Sequence, residues 1–179
     1  SPGVVVGNTF YLRNRSSGPN DVPAFTYGRP GDRFVVGDWD GDGTWTPGVV
    51  RGGVWYLRDR NSSGPHDVPR FRFGRPGDRF LVGDWDGDGD FDPGVHRSGT
   101  FWFRRTLSSG HAQFHVRFGR LDDRPFAGDW DGNGTWTPGL LRAGARWYLK
   151  NSLVGGAAGA SFPQQAPGTP VVGDWDSRH

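Results

Sequence analysis

Apolar residues along this chain come in short bursts. Examples are Val54-Trp55-Tyr56-Leu57, Thr100-Phe101-Trp102-Phe103 and Arg146-Trp147-Tyr148-Leu149. Others end in Phe-Gly, as at Phe73-Gly74 and Phe118-Gly119, or run into an acidic stretch, as Arg79-Phe80-Leu81-Val82-Gly83 does. Each is rich in aromatic and β-branched residues and is bounded by Gly, Pro, Asn, Asp or Ser, the pattern of a short strand between turns.

The bursts repeat. Gly-Asp-Trp-Asp begins at Gly37, Gly83, Gly128 and Gly173, a spacing of 45 or 46 residues, and Pro-Gly follows the first three copies at Pro47, Pro93 and Pro138. Four short strands per unit at this period predict a β-propeller with four blades of about 45 residues. The whole chain, 1–179, is expected to form one propeller domain. Blade 1 takes residues 1–28 plus 170–176, blade 2 takes 33–74, blade 3 takes 79–119 and blade 4 takes 124–162. Ser1-Pro2-Gly3 aligns with Thr46-Pro47-Gly48, so the N- and C-terminal segments are expected to pair and close the ring, hiding two sheet edges. The alternative is two chains forming an eight-bladed ring, so the assembly is read as a monomer or a homodimer. The chain itself is read as a trimmed or mature form.

Composition agrees with strands and turns. All 19 acidic residues are Asp, every basic residue but Lys150 is Arg, and there are 31 Gly and 14 Pro. Asp, Gly and Pro favour turns over helices. The net charge of +2 and the scattered arginines imply no nucleic-acid partner. No run of about 18 apolar residues occurs, so no membrane span is expected. The absence of Cys excludes disulfides and thiol chemistry. The five histidines fall at different repeat positions, so no histidine metal site is expected, and no nucleophile motif is present.

The candidate chemistry lies in the acidic stretches. Asp84, Asp86, Asp88, Asp90 and Asp92 alternate with residues that include Gly87 and Gly89. A backbone that curls at glycine throws such side chains toward one centre. Five carboxylates so placed repel one another unless a cation sits among them, and hard oxygen donors in that number suit calcium. The competing reading is a set of aspartate turns that hold no ion. The Trp at the second loop position (Trp39, Trp85, Trp130, Trp175) and the aromatic at the eighth (Trp45, Phe91, Trp136) are expected in the seams between blades. A Ser-Ser-Gly in the long outer loops, at residues 16–18, 62–64 and 108–110, marks a rim where binding residues could gather.

The aspartate loops and the Phe-Gly phrases resemble the FG-GAP/VCBS repeats of integrin-like propellers, over the whole chain. That resemblance implies side-chain ligands at loop positions 1, 3, 5 and 9 and a carbonyl at position 7. The second copy is then complete: Asp84, Asp86, Asp88 and Asp92, with the carbonyl of Asp90. The first offers Asp38, Asp40 and Asp42, with Thr44 at position 7 and Thr46 at position 9. The third offers Asp129, Asp131 and Asn133, with Thr135 and Thr137 at those places. The fourth stops after Asp174 and Asp176 and is expected to hold no ion. An EF-hand fits poorly, because Val49 and Val95 stand where it needs a bidentate Glu. The resemblance also implies a secreted or extracellular, non-catalytic, calcium-stabilised protein that binds a carbohydrate or protein ligand, lectin-like. The alternatives are an accessory propeller domain of a larger secreted hydrolase and a propeller enzyme.

Overall fold

Because every burst is short and ends at a turn residue, each can pair only with its neighbour in sequence, and the chain folds into four antiparallel meanders. The computed structural model describes residues 3–13 and 18–164. Blade 1 comprises β1 (Gly3–Val6), β2 (Thr9–Leu12) and β3 (Phe25–Thr26). Blade 2 comprises β4 (Arg33–Gly37), β5 (Thr46–Arg51), β6 (Val54–Leu57) and β7 (Phe71–Arg72). Blade 3 comprises β8 (Arg79–Gly83), β9 (Asp92–Arg97), β10 (Thr100–Phe103) and β11 (Phe114–Arg117). Blade 4 comprises β12 (Arg124–Gly128), β13 (Thr137–Arg142), β14 (Arg146–Leu149) and β15 (Ala160–Pro163).

Within each sheet the strands follow sequence order. The first strands of successive blades sit side by side, β4 against β8 and β8 against β12, which makes them the innermost strands of a four-bladed β-propeller. Among the described residues there is no helix. The expected closing segment, 170–176, lies outside the described residues, as do Ser16 and Ser17 and the fourth loop's Asp174, Trp175 and Asp176.

The core lies in the seams between blades. Trp55, Leu57, Phe71 and Phe73 of blade 2 pack with Phe91 and Val95 of blade 3. Phe101, Phe103, Val116 and Phe118 of blade 3 pack with Ala127 and Leu140 of blade 4. Phe10, Phe25 and Tyr27 of blade 1 meet Val49 of blade 2. Each such fully buried side chain is worth about 1.5–3 kcal/mol relative to exposure. An alternating strand such as β6 therefore turns Trp55 and Leu57 into a seam while Val54 and Tyr56 stay half-buried.

Two polar devices recur with the repeat. Asp32, Asp78 and Asp123, in the turn before each innermost strand, grip Arg51, Arg97 and Arg142 through Nε and Nη2 at 2.5–2.9 Å. The aspartate side chains are almost wholly buried. Burial pushes the Asp32 and Asp123 carboxyls up, but the guanidinium and a backbone N–H outweigh it and leave both below the ordinary value. The second device is the Ser-Ser-Gly loop, which is used as an inter-blade clasp. Ser62 and Ser108 accept from the buried Arg58 and Arg104 of their own blades. Ser63 and Ser109 accept at 2.9 Å from the backbone N–H of Thr26 and Arg72 on the outermost strand of the preceding blade. These serines thus cover sheet edges.

Candidate metal centre

Each aspartate loop joins an innermost strand to its neighbour: β4 to β5, β8 to β9 and β12 to β13. Gly83, just before the second loop, has the ring of Trp85 where a Cβ would stand, at 2.8 Å, so only glycine lets that tryptophan fold under the strand end. Trp85 is buried, and its Nε1–H donates to the carbonyl of Asp92 at 3.1 Å, tying loop position 2 to position 9. Trp39 is also buried and Trp130 is half-buried, but the Nε1–H of neither has a hydrogen-bond partner.

The first aspartate of each loop shapes the turn. Asp84 accepts from the N–H groups of Asp86, Gly87 and Gly89. Asp38 accepts from Asp42 and Gly43, and Asp129 from Gly132, Asn133 and Gly134. The fifth position braces the seventh: Asp42, Asp88 and Asn133 accept from the N–H of Thr44, Asp90 and Thr135. These bonds are aspartate-turn chemistry and by themselves need no ion.

Beyond those turns, carboxylates converge. Asp84, Asp86 and Asp88 offer oxygens all within 4.8 Å of one another, and so do Asp38, Asp40 and Asp42. The third loop has Asn133 where the others have their third aspartate, so only Asp129 and Asp131 supply carboxylates there. Asp92 distinguishes the second loop. It is 1% exposed, and neither carboxylate oxygen has a hydrogen-bond partner. Burial, followed by the charges of Asp90, Asp86, Asp88 and Asp84, pushes its carboxyl up to about 8. Asp90 is pushed up to about 6 by burial and then by Asp88 and Asp86. By contrast, the hydroxyls of Thr46 and Thr137 at the same position donate to the carbonyls of Gly37 and Gly128 at 3.3 and 3.4 Å.

An unpartnered buried carboxylate costs several kcal/mol unless a counter-charge reaches it. The donor set fits a hard divalent cation: in the second loop Asp84, Asp86, Asp88, Asp92 and the carbonyl of Asp90 would hold it. The first loop offers a smaller set, and the third the least charge.

Several contributors escape a reading of the sequence. Asp59, from the long loop of blade 2, lies against Asp40; burial and that neighbour raise its carboxyl. At the corresponding place in blade 3 stands Arg105, 3.8 Å from Asp86. Their shared offset from the aromatic strand was the available signal. Successive loops are also joined through the backbone: the N–H of Phe91 donates to the carbonyl of Asp38, and that of Trp136 to Asp84, both at 2.6 Å. This brings the eighth-position aromatics together, with Trp45, Phe91 and Trp136 centroids 4.7–6.0 Å apart. Phe91 is buried and Trp136 half-buried, as expected of seam residues, but Trp45 is 49% exposed.

No protein-family model, curated protein or solved structure matches this chain. The class that fold and site define is a four-bladed propeller with acidic loops between its two innermost strands.

Proposed function

We propose that this chain is a calcium-stabilised, secreted β-propeller of the FG-GAP/VCBS type that binds a carbohydrate or protein ligand without transforming it. The observation that carries the calcium reading is Asp92, a buried carboxylate with no protein partner beside four other aspartates. When bound, calcium supplies the positive charge that this group of oxygens lacks.

The chain's own residues do the rest. Asp84 orders the loop backbone, Trp85 fixes the position-9 carbonyl, and the Phe91 and Trp136 N–H groups couple each loop to its predecessor. Folding therefore creates the site, and ligation stabilises the inner ring that the blades share. A non-catalytic role is supported by the location of the strongly raised carboxyls, Asp90 and Asp92, inside the loop that would hold the ion. A ligand-binding role is supported by a rigid scaffold that leaves Trp45 exposed beside the loops.

Thermal melts in millimolar calcium and in EDTA, with metal analysis of the purified protein, test the calcium reading. Calcium at 1,000 times its dissociation constant stabilises the fold by about 4 kcal/mol. Superimposable melts with no bound metal sink the reading. Glycan arrays and co-purification from extracellular fluid test the ligand class.

A further inference from the structure

Strands β6, β10 and β14 carry an aromatic at the same place: Tyr56, Trp102 and Tyr148. In blade 2 the imidazole of His66 lies 5.5 Å from the Tyr56 ring. In blade 3 His115, directly across the ladder from Trp102, lies 4.9 Å from it at 30°. Blade 4 breaks the pattern. The residue across from Tyr148 is Ser161, and the loop leading to it is Gly155-Gly156-Ala157-Ala158-Gly159-Ala160.

Where the imidazole is missing, a cleft of about 510 Å³ opens between blades 3 and 4. It is lined by residues 118–120 at the exit of blade 3, by residues 156–161, and by Arg142 and Tyr148. That size lies within the range of small-molecule sites, about 300–1,000 Å³.

The chemistry of the walls is one-sided. None of the described residues that line it is acidic, while Arg120 and Arg142 are both present. Arg142 spends Nε and Nη2 on Asp123, and its guanidinium lies 4.3 Å from the Tyr148 centroid. Its Nη1 is not used in that pair, although the guanidinium also interacts with the Tyr148 side chain. Arg146 reaches Ser161 Oγ at 3.4 Å, bringing a third cation to the rim. In the Gly-Ala loop the Gly159 N–H is spent on the Leu149 carbonyl and the Ala157 carbonyl on Lys150 Nζ, which leaves the N–H groups of Gly156, Ala157 and Ala158 for hydroxyl groups. An aromatic ring, arginines and bare amides together match a sugar ring bearing a carboxylate.

Resting on the ligand-binding reading above, we infer that the cleft between blades 3 and 4 is a binding site for a hexuronic acid. Its carboxylate pairs with Arg142 and Arg120, and its ring lies against Tyr148.

The test is calorimetry and saturation-transfer NMR on the full chain in calcium, with glucuronic and galacturonic acids against glucose and galactose. The hexuronates are expected to bind about tenfold tighter than the neutral sugars, the worth of one charge-assisted bond. Arg120→Ala, at an exposed position, should weaken the acids about fivefold and leave the neutral sugars unchanged. Ser161→His rebuilds the plug that blade 3 carries and should abolish binding with an unaltered melt. Ala158→Trp fills the same space should the histidine variant fold poorly.

Hexuronate binding untouched by both filling variants overturns the cleft while leaving carbohydrate binding intact. Neutral sugars binding as well as acids overturns the charge argument. No sugar binding at all overturns the site and leaves only the protein-ligand half of the broader reading.

Discussion

Asp92→Asn isolates the one carboxyl that, among the described residues, is buried without a partner. An ordinary aspartate loses its proton near 3.8, and Asp92 does so near 8. The sign follows from linkage. A carboxyl whose value is raised by folding favours the folded state at low pH, and that advantage is lost as pH rises from about 3.8 toward 8. The loss is about 1.4 kcal/mol per pH unit, so metal-free wild type forfeits roughly 4 kcal/mol by pH 7.

Asparagine is neutral throughout and carries amide donors that the neighbouring carboxylates can accept. In EDTA the variant should match wild type near pH 4 and overtake it steadily up to pH 8. At pH 7 it should melt roughly 8–16 °C higher, scaling from about 2–4 °C per kcal/mol for a chain of this size. In calcium the order should reverse, because wild type gains a charged ligand that the variant lacks. Melts from pH 4 to 8 with and without calcium read both limbs. A variant less stable than wild type in EDTA at every pH, or one with a full calcium response, refutes the reasoning.

Other residues make separate demands. Thr46→Asp gives the first loop the carboxylate that the second has at position 9. It should add one calcium per chain in a calorimetric titration while lowering the melting temperature in EDTA. His96 is buried with Nε2 unpartnered, and burial, followed by Arg79, drops its imidazole to about 4. Stability is therefore lost as pH falls from about 6.5 to 4, because the unfolded chain takes up the proton that the folded one refuses. Val50 and Leu141 occupy the equivalent place in blades 2 and 4, and His96→Leu should raise stability at pH 5 by about 1–3 kcal/mol in urea melts. Arg97→Ala strands the buried Asp78 and should cost about 3–5 kcal/mol in the same assay. Ser109→Ala removes the acceptor for the Arg72 N–H, and about 1 kcal/mol should go with it, detectable as faster hydrogen exchange at that amide.

The architecture was legible because its signal is repeated. Four copies of one pattern leave few ways to bury the aromatic faces except against one another, and short strands with tight turns can form only meanders. The loop ligands were legible for a related reason: alternating aspartates around glycines have little use except in a curled turn. The Asp–Arg pairs recur at the same period and could have been found by asking which charges repeat. Other features depend on which residues from different blades are pushed together. Asp59 beside Asp40, Arg105 beside Asp86, the meeting of Trp45, Phe91 and Trp136, and the serines clasping Thr26 and Arg72 all join residues far apart in the chain.

The chain alone determined the number and kind of its strands, where they turn, and which side chains could share a cation. Local stereochemistry and hydrophobic alternation act within a few residues, and a sequence displays those few residues in full. Only the folded ring decided that Asp92 is left without a partner, that Ser-Ser-Gly is a clasp, and that blade 4 leaves a cleft where blade 3 has a histidine. Burial and electrostatic environment are set by neighbours that a linear order does not place.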